Sequence, residues 1–233
     1  MTSSNISEQA KWGDSAPGSL PTRVAKRQRR LMFERFMVAL SPSEKDDVLD
    51  VGVTNDRLHD HSNYLEAWYP HKRRLTAAGL EDASFLEEAY PGLRFVQADA
   101  RDLPFSDGSY DVVHSSAVIE HVGNHEKQTA CLREIWRVAR RGIFVTTPNR
   151  WFPIEVHTVL PVLHWLPPGI FRAILRMAGR SFFADEANLN LMSRSSLAAA
   201  ARAAGIRDFR IETVSLMGWP SNLVLIARKG NLT

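Results

Sequence analysis

The segment Arg94–Val122, RFVQADARDLPFSDGSYDVVHSSAVIEHV, sets single carboxylates at the margins of two apolar strand patterns. Arg94–Gln97 reads as a short strand that runs straight into Asp99. Tyr110–Ser115 reads as a buried strand, since Asp111 is followed by Val112 and Val113. Pro104 and the Ser106–Gly108 cluster mark the turn between them. A carboxylate at the end of a buried parallel strand is poorly placed for packing and well placed for a ligand, because open α/β sheets bind at their carboxyl edge. Two histidines, His121 and His157, follow strand patterns in the same half of the chain, and imidazole titrates near neutral pH.

The elements that must position these groups alternate. Met1–Pro21 is rich in small polar residues and reads as a flexible tail ahead of a single domain over 22–233. A helix is predicted from Arg23, with Phe33, Phe36, Met37 and Leu40 on one side. Strands are expected at Asp47–Val51, Leu75–Leu80, Arg94–Gln97, Tyr110–Ser115 and Gly142–Thr147, the last stopped by Pro148. Helices are expected at Asp82–Tyr90, at His125–Ala139 and from Ser193 to Ala204, where Gly205 is the stop signal. Phe209–Val214 and Asn222–Ala227 read as an antiparallel hairpin around Gly218–Pro220. Strands alternating with helices imply a mostly parallel, doubly wound sheet with right-handed crossovers.

Composition narrows the class. The chain has 233 residues, 44% of them hydrophobic and 24% charged, which suits a globular domain with a sizeable core. The formal net charge is only +3, too slight to argue for nucleic acid over the whole chain, and no aromatic-and-basic stripe marks a single-strand groove. The one cysteine, Cys131, excludes an internal disulfide and falls on an apolar helix face, so packing is its expected role. No secretory leader or membrane-spanning run is visible, so the expected location is cytoplasmic. Arg23, Lys26, Arg27, Arg29 and Arg30 form either a solvated cationic face or a patch for acidic lipid headgroups or a phosphorylated substrate. The second reading would place the protein peripherally at the inner membrane face.

The run of Asp99, Leu103-Pro104-Phe105, Tyr110-Asp111 and Glu120-His121 resembles the middle of class I S-adenosylmethionine-dependent methyltransferases, in the branch that includes ubiquinone and menaquinone biosynthesis enzymes. The resemblance implies seven strands in the order 3-2-1-4-5-7-6, the seventh reversed, and S-adenosyl-L-methionine as cofactor. Asp50-Val51-Gly52 matches the family's opening motif, with Gly52 letting the backbone approach the methionyl part of the cofactor. The family continues with further glycines, whereas this chain reads Val53-Thr54-Asn55-Asp56, so the turn must take a wider path or cradle less tightly. Glu81 matches the ribose position, where a carboxylate accepts from a diol, and the adjacent Asp82 is its competitor as a helix cap. Asp99-Ala100 matches the adenine position; the alternative for Asp99 is loop capping. Ser115 and Ser116 would face the amino acid end through backbone groups.

Methyl transfer from a sulfonium needs alignment and, for some acceptors, removal of a proton. The resemblance puts the base on a carboxyl-edge loop, which nominates His121 and His157 as catalytic, with wall packing and lid anchoring as their structural alternatives. Glu155 stands two residues before His157. His164, among Leu163, Trp165 and Leu166, reads as a core or lid histidine, and the spacing of His59, His61 and His71 does not make a metal site, so no metal ligand is assigned. Trp151–Asn190 is apolar, aromatic and broken by prolines, and reads either as a lid or as a hydrophobic acceptor channel with a shallow membrane contact. The expected function is O-methylation of a lipid-like, aromatic or glycan-precursor small molecule. Two alternatives stand beside it: a non-catalytic binding protein of the same fold, and a nucleic-acid or protein methyltransferase. The latter is weakened because His114-Ser115-Ser116-Ala117 replaces the Asn/Asp-Pro-Pro-aromatic run of amino-group enzymes.

Overall fold

The computed structural model describes residues 19–59 and 61–230. Nearly all of the expected tail lies outside the described residues. Its last residues belong to helix α1, Leu20–Leu40, which starts three residues earlier than expected because Ser19 caps it and Pro21 occupies the first turn. The remaining elements are β1 (Val48–Val51), α2 (Tyr64–Trp68), β2 (Leu75–Gly79), α3 (Phe85–Ala89), β3 (Arg94–Gln97), β4 (Tyr110–Ser116), α4 (His125–Val138), β5 (Ala139–Pro148), α5 (Pro168–Met177), α6 (Arg194–Ala203), β6 (Phe209–Leu216) and β7 (Trp219–Arg228).

The sheet runs β3-β2-β1-β4-β5-β7-β6, with β7 antiparallel to both neighbours and the other adjacent pairs parallel. Alternating side chains feed two cores. Leu49, Val51, Val113, Ile143 and Val145 pack against Cys131, Leu132 and Ile135 of α4 and Leu197 of α6. Val48, Ala77, Val112 and Phe144 pack on the other face against Phe33, Phe36 and Leu40 of α1 and Tyr64 and Leu65 of α2. The fold is thus the doubly wound α/β sheet expected, with its strand order and reversed seventh strand.

Local chemistry sets the element ends that matter for function. Asn124 caps α4 by accepting from Lys127 N at 3.1 Å, and Ser193 and Ser196 form a capping box on α6. The β6–β7 turn is the two residues Met217 and Gly218, both at positive φ, as a tight hairpin requires. The insertion between β5 and α6 carries only one helix longer than a turn, α5, and has its own small core of Phe171, Leu175, Phe183, Ala184 and Leu189.

Candidate active site

Three loops leave the carboxyl edge of β1, β2 and β3 side by side. Parallel pairing places Val51 beside Ala78 and Gly79 beside Gln97, so the residues that follow emerge at one edge. Gly52 sits at φ +103° and turns the chain back, its N–H donating to Ala78 O at 2.7 Å. Gly79 is needed because a Cβ there would lie 2.6 Å from Val53 O. Val53 therefore crosses over the end of β2 and is buried.

The glycine-poor turn is fastened by side chains. Asn63 Oδ1 accepts from Thr54 N at 2.9 Å, and Asn63 Nδ2 donates to Thr54 O at 2.9 Å. Asp56 gathers the other half, accepting from Leu58 N at 2.8 Å, His59 N at 3.3 Å and Ser62 Oγ at 2.5 Å. Sequence reasoning missed Asn63; its signal was a side chain with a donor and an acceptor just ahead of α2.

Around this edge, the expected cofactor residues fall into two groups. Glu81 is half-buried, its carboxyl raised by burial, and no hydrogen bond or ion pair engages it among the described residues. Asp82 accepts from Ser84 N at 2.9 Å and closes a turn ahead of α3; it is not the helix cap expected, because the helix starts only at Phe85, with Ser84 at its N-cap. Asp99 is held by Arg101, whose Nε donates to its two oxygens at 2.9 and 3.1 Å, and this hydrogen bonding keeps its carboxyl below the usual range. Arg101 N also donates to Asp99 Oδ1 at 2.9 Å, so the loop-capping alternative is realised while further acceptor lone pairs remain. Ala100 is buried against the α4 face.

The second group turns its side chains inward. Ser115 Oγ donates to Val51 O at 2.9 Å, and Ser116 Oγ pairs with Thr146 Oγ1 at 2.9 Å. Asp50 Oδ1 lies 2.6 Å from His114 Nδ1, and Tyr64 Oη lies 2.8 Å from His114 Nε2. Burial disfavours the charged form of both, raising the Asp50 carboxyl and lowering the His114 imidazole. These side chains are spent on contacts within the fold.

Histidines 36 positions apart meet beyond β4 and β5: His121 Nε2 lies 3.1 Å from His157 Nε2. His121 ends a 3₁₀ turn, Ile119–His121, and its Nδ1 lies 2.7 Å from Asn188 O. His157 sits in a turn closed by Val159 N donating to Glu155 O at 2.7 Å. The Glu155 carboxylate accepts from His157 N at 3.0 Å and from Thr158 N at 2.5 Å, and lies 2.7 Å from His157 Nδ1. Burial opposes every charge here. It nevertheless loses to the hydrogen bonds from His157 and Thr158, which hold Glu155 near 2, and to Glu155's pull, which raises His157. His121 is pushed down to about 4 by burial and by the charge of His157. Glu120, fully buried, has its carboxyl raised by burial, and its Oε2 accepts from Thr147 Oγ1 at 2.9 Å.

His164 is buried within the insertion, its Nε2 2.8 Å from Phe152 O. His59 lies against Asp56 and His61 is buried.

Residues 49–146 match the methyltransferase domain family. A demethylmenaquinone methyltransferase from Roseiflexus sp. (strain RS-1) is 30% identical over 195 residues, covering 77% of this chain and 76% of the relative. Among solved structures, a 1,6-didemethyltoxoflavin-N1-methyltransferase from Burkholderia thailandensis superposes with a TM-score of 0.59 at 16% identity, over 98% of this chain and 85% of that one. A SAM-dependent methyltransferase from Archaeoglobus fulgidus gives 0.58 at 15% identity, over 96% and 99%. The fold and its carboxyl-edge site define a class I methyltransferase. The chain belongs to the S-adenosylmethionine-dependent methyltransferase family; it is an enzyme whose cofactor is S-adenosylmethionine, and the non-catalytic reading is set aside.

The residues present fit that cofactor. A partnerless, half-buried acceptor at Glu81 suits a ribose diol, and Gly52 and Gly79 hold the backbone in a path that a Cβ would block.

Proposed function

We propose that this enzyme methylates an oxygen of a small, apolar or aromatic acceptor received under the insertion at residues 151–190. S-adenosylmethionine, when bound, supplies a methyl group on a sulfonium that leaves as a neutral thioether. In this reading Glu81 receives the ribose hydroxyls, Asp99 and Ala100 the adenine, and backbone groups at Gly52, Ser115 and Ser116 the amino acid end. His121 and His157 receive the acceptor hydroxyl and its proton, with Glu155 fixing the His157 ring.

The observation that carries this reading is the facing pair of imidazoles, 3.1 Å apart, beyond the strands that border the cofactor edge. The insertion supports an apolar acceptor because it leaves Trp151, Ile154, Val156, Val159 and Ile170 well exposed. The Roseiflexus relative is named for demethylmenaquinone and the Burkholderia structure for 1,6-didemethyltoxoflavin, both small molecules.

The test is methyl transfer from labelled S-adenosylmethionine to a panel of phenolic and quinone-precursor acceptors, with cofactor affinity measured in parallel. His157→Ala and His121→Ala are each expected to slow turnover about 10²–10⁴-fold, the usual range for general acid–base groups, without changing cofactor affinity. Unchanged turnover in both removes the pair from the chemistry.

A further inference from the structure

The two facing imidazoles pose a problem of charge. Asn188 O can only accept, so His121 Nδ1 carries the hydrogen and its Nε2 presents a lone pair. At His157 the ionised Glu155 likewise takes the Nδ1 hydrogen. Two lone pairs 3.1 Å apart repel unless an electrophile lies between them, either a proton on one ring or a cation.

A third group favours the cation. Glu120 is fully buried, and while its Oε2 is fixed by Thr147, its Oε1 has no hydrogen-bond partner. That orphaned oxygen lies 4.0 Å from His121 Nε2. One ligand atom from each of Glu120, His121 and His157 lies within 4.8 Å of the others. Two ligands of a tetrahedral zinc ion, each about 2.1 Å from the metal, are about 3.4 Å apart. The histidine pair is already near that spacing, and the carboxylate must close by about 1 Å to match it.

We propose that Glu120, His121 and His157 bind one divalent transition-metal ion, zinc foremost, with a position left open toward the acceptor. Both imidazoles donate their second ring hydrogen to an oxygen, and the carboxylate is oriented by a hydroxyl, the arrangement that fixes metal ligands elsewhere. Methyl transfer moves no electrons to or from a metal, so a redox-inert ion suffices among those that two imidazoles and a carboxylate accept. The site exists independently of the function proposed above, and only its use rests on that reading. With the ion bound, both Nε2 lone pairs are occupied, so the acceptor's proton leaves to solvent instead of to the imidazoles. A hydroxyl on the ion would lose its proton to solvent more readily. Its oxygen would then bond to the methyl carbon as the carbon–sulfur bond breaks, the electron pair staying on sulfur.

The experiment uses full-length protein stripped with a chelator and then titrated with Co²⁺ or Zn²⁺, read by visible absorption and calorimetry. S-adenosylhomocysteine is titrated in parallel. One ion per chain is expected, Zn²⁺ displacing the Co²⁺ spectrum. His121→Ala, His157→Ala and Glu120→Gln should each weaken uptake at least tenfold. Glu155→Gln, which loosens the hold on His157 and removes the charge beside it, should weaken it about 10–100-fold. His59→Ala should leave it unchanged. Thermal unfolding of the stripped proteins identifies any variant that fails to fold, for which His157→Asn serves instead. No saturable uptake by the unmutated chain, or uptake that survives His157→Ala, overturns the site. So does a downfield proton resonance on the imidazole pair without ion uptake, which assigns it a shared proton. Metal uptake without S-adenosylhomocysteine binding would sink the cofactor-site reading and leave the metal site standing.

Discussion

Asn63→Ala tests whether the turn after β1 is held for the cofactor by a side chain in place of the missing glycines. In the wild-type chain one amide grips both the N–H and the C=O of Thr54, each at 2.9 Å. Thr54 is exposed, so its freed backbone groups regain water and the loss is the net value of two hydrogen bonds. At about 0.5–1.5 kcal/mol each, that is about 1–3 kcal/mol. If the turn must be ordered to receive the cofactor, the loss appears in affinity, and each 1.4 kcal/mol is about tenfold in Kd. Calorimetry with S-adenosylhomocysteine should therefore show Kd raised about 5- to 150-fold. Asn63→Asp should do no better, since it keeps the acceptor for Thr54 N but sets a carboxylate against Thr54 O. The Asp56 cluster survives in both variants, so the segment does not collapse wholesale. An Asn63→Ala protein with wild-type Kd would refute the reasoning, because the turn would then be ordered without its clamp or stand away from the cofactor.

Other expectations are independent of that one. Glu81→Ala should weaken S-adenosylhomocysteine binding by about 1.5–3 kcal/mol, the scale of hydrogen bonds to a charged group, while Asp82→Ala leaves Kd unchanged; equal effects would remove the ribose assignment. Glu66→Gln should stabilise the protein increasingly as pH rises. Burial and the charge of Asp50 raise the Glu66 carboxyl well above its ordinary value, so the folded state keeps a proton that the unfolded state loses above about pH 4.5. Wild-type stability is thus lost with rising pH while the glutamine titrates nothing, and a pH-independent difference in urea midpoints would contradict this. Arg23, Lys26, Arg27 and Arg30 all lie exposed on α1, so binding to acidic vesicles should fall with salt and with Arg27→Glu/Arg30→Glu. Sedimentation indifferent to both would eliminate the membrane patch. No helix among the described residues is long and apolar enough to cross a membrane.

The sequence determined the architecture because its signals are local and repeat. Apolar runs of four to six residues between turn residues placed β1–β5 within a few positions, and the Ser193 and Gly205 signals bounded α6. It also determined the burial of Cys131 on an amphipathic face, whereas Asp82, expected to cap α3, closes a turn ahead of that helix and leaves the N-cap to Ser84. It did not show that the short β1–β2 segment folds back so that Asn63 clamps Thr54, nor that Asp50 faces His114 rather than the edge. Those pairings depend on strand register and on which face a side chain takes. The meeting of His121 with His157 was furthest from view. Each residue was legible as a candidate, but their contact requires β4, β5 and the fold of residues 151–190 all to be set, and no local propensity spans 36 residues. Tertiary structure alone brought the two imidazoles and the orphaned Glu120 oxygen together, because only packing can hold in one place polar groups from segments so far apart in the chain.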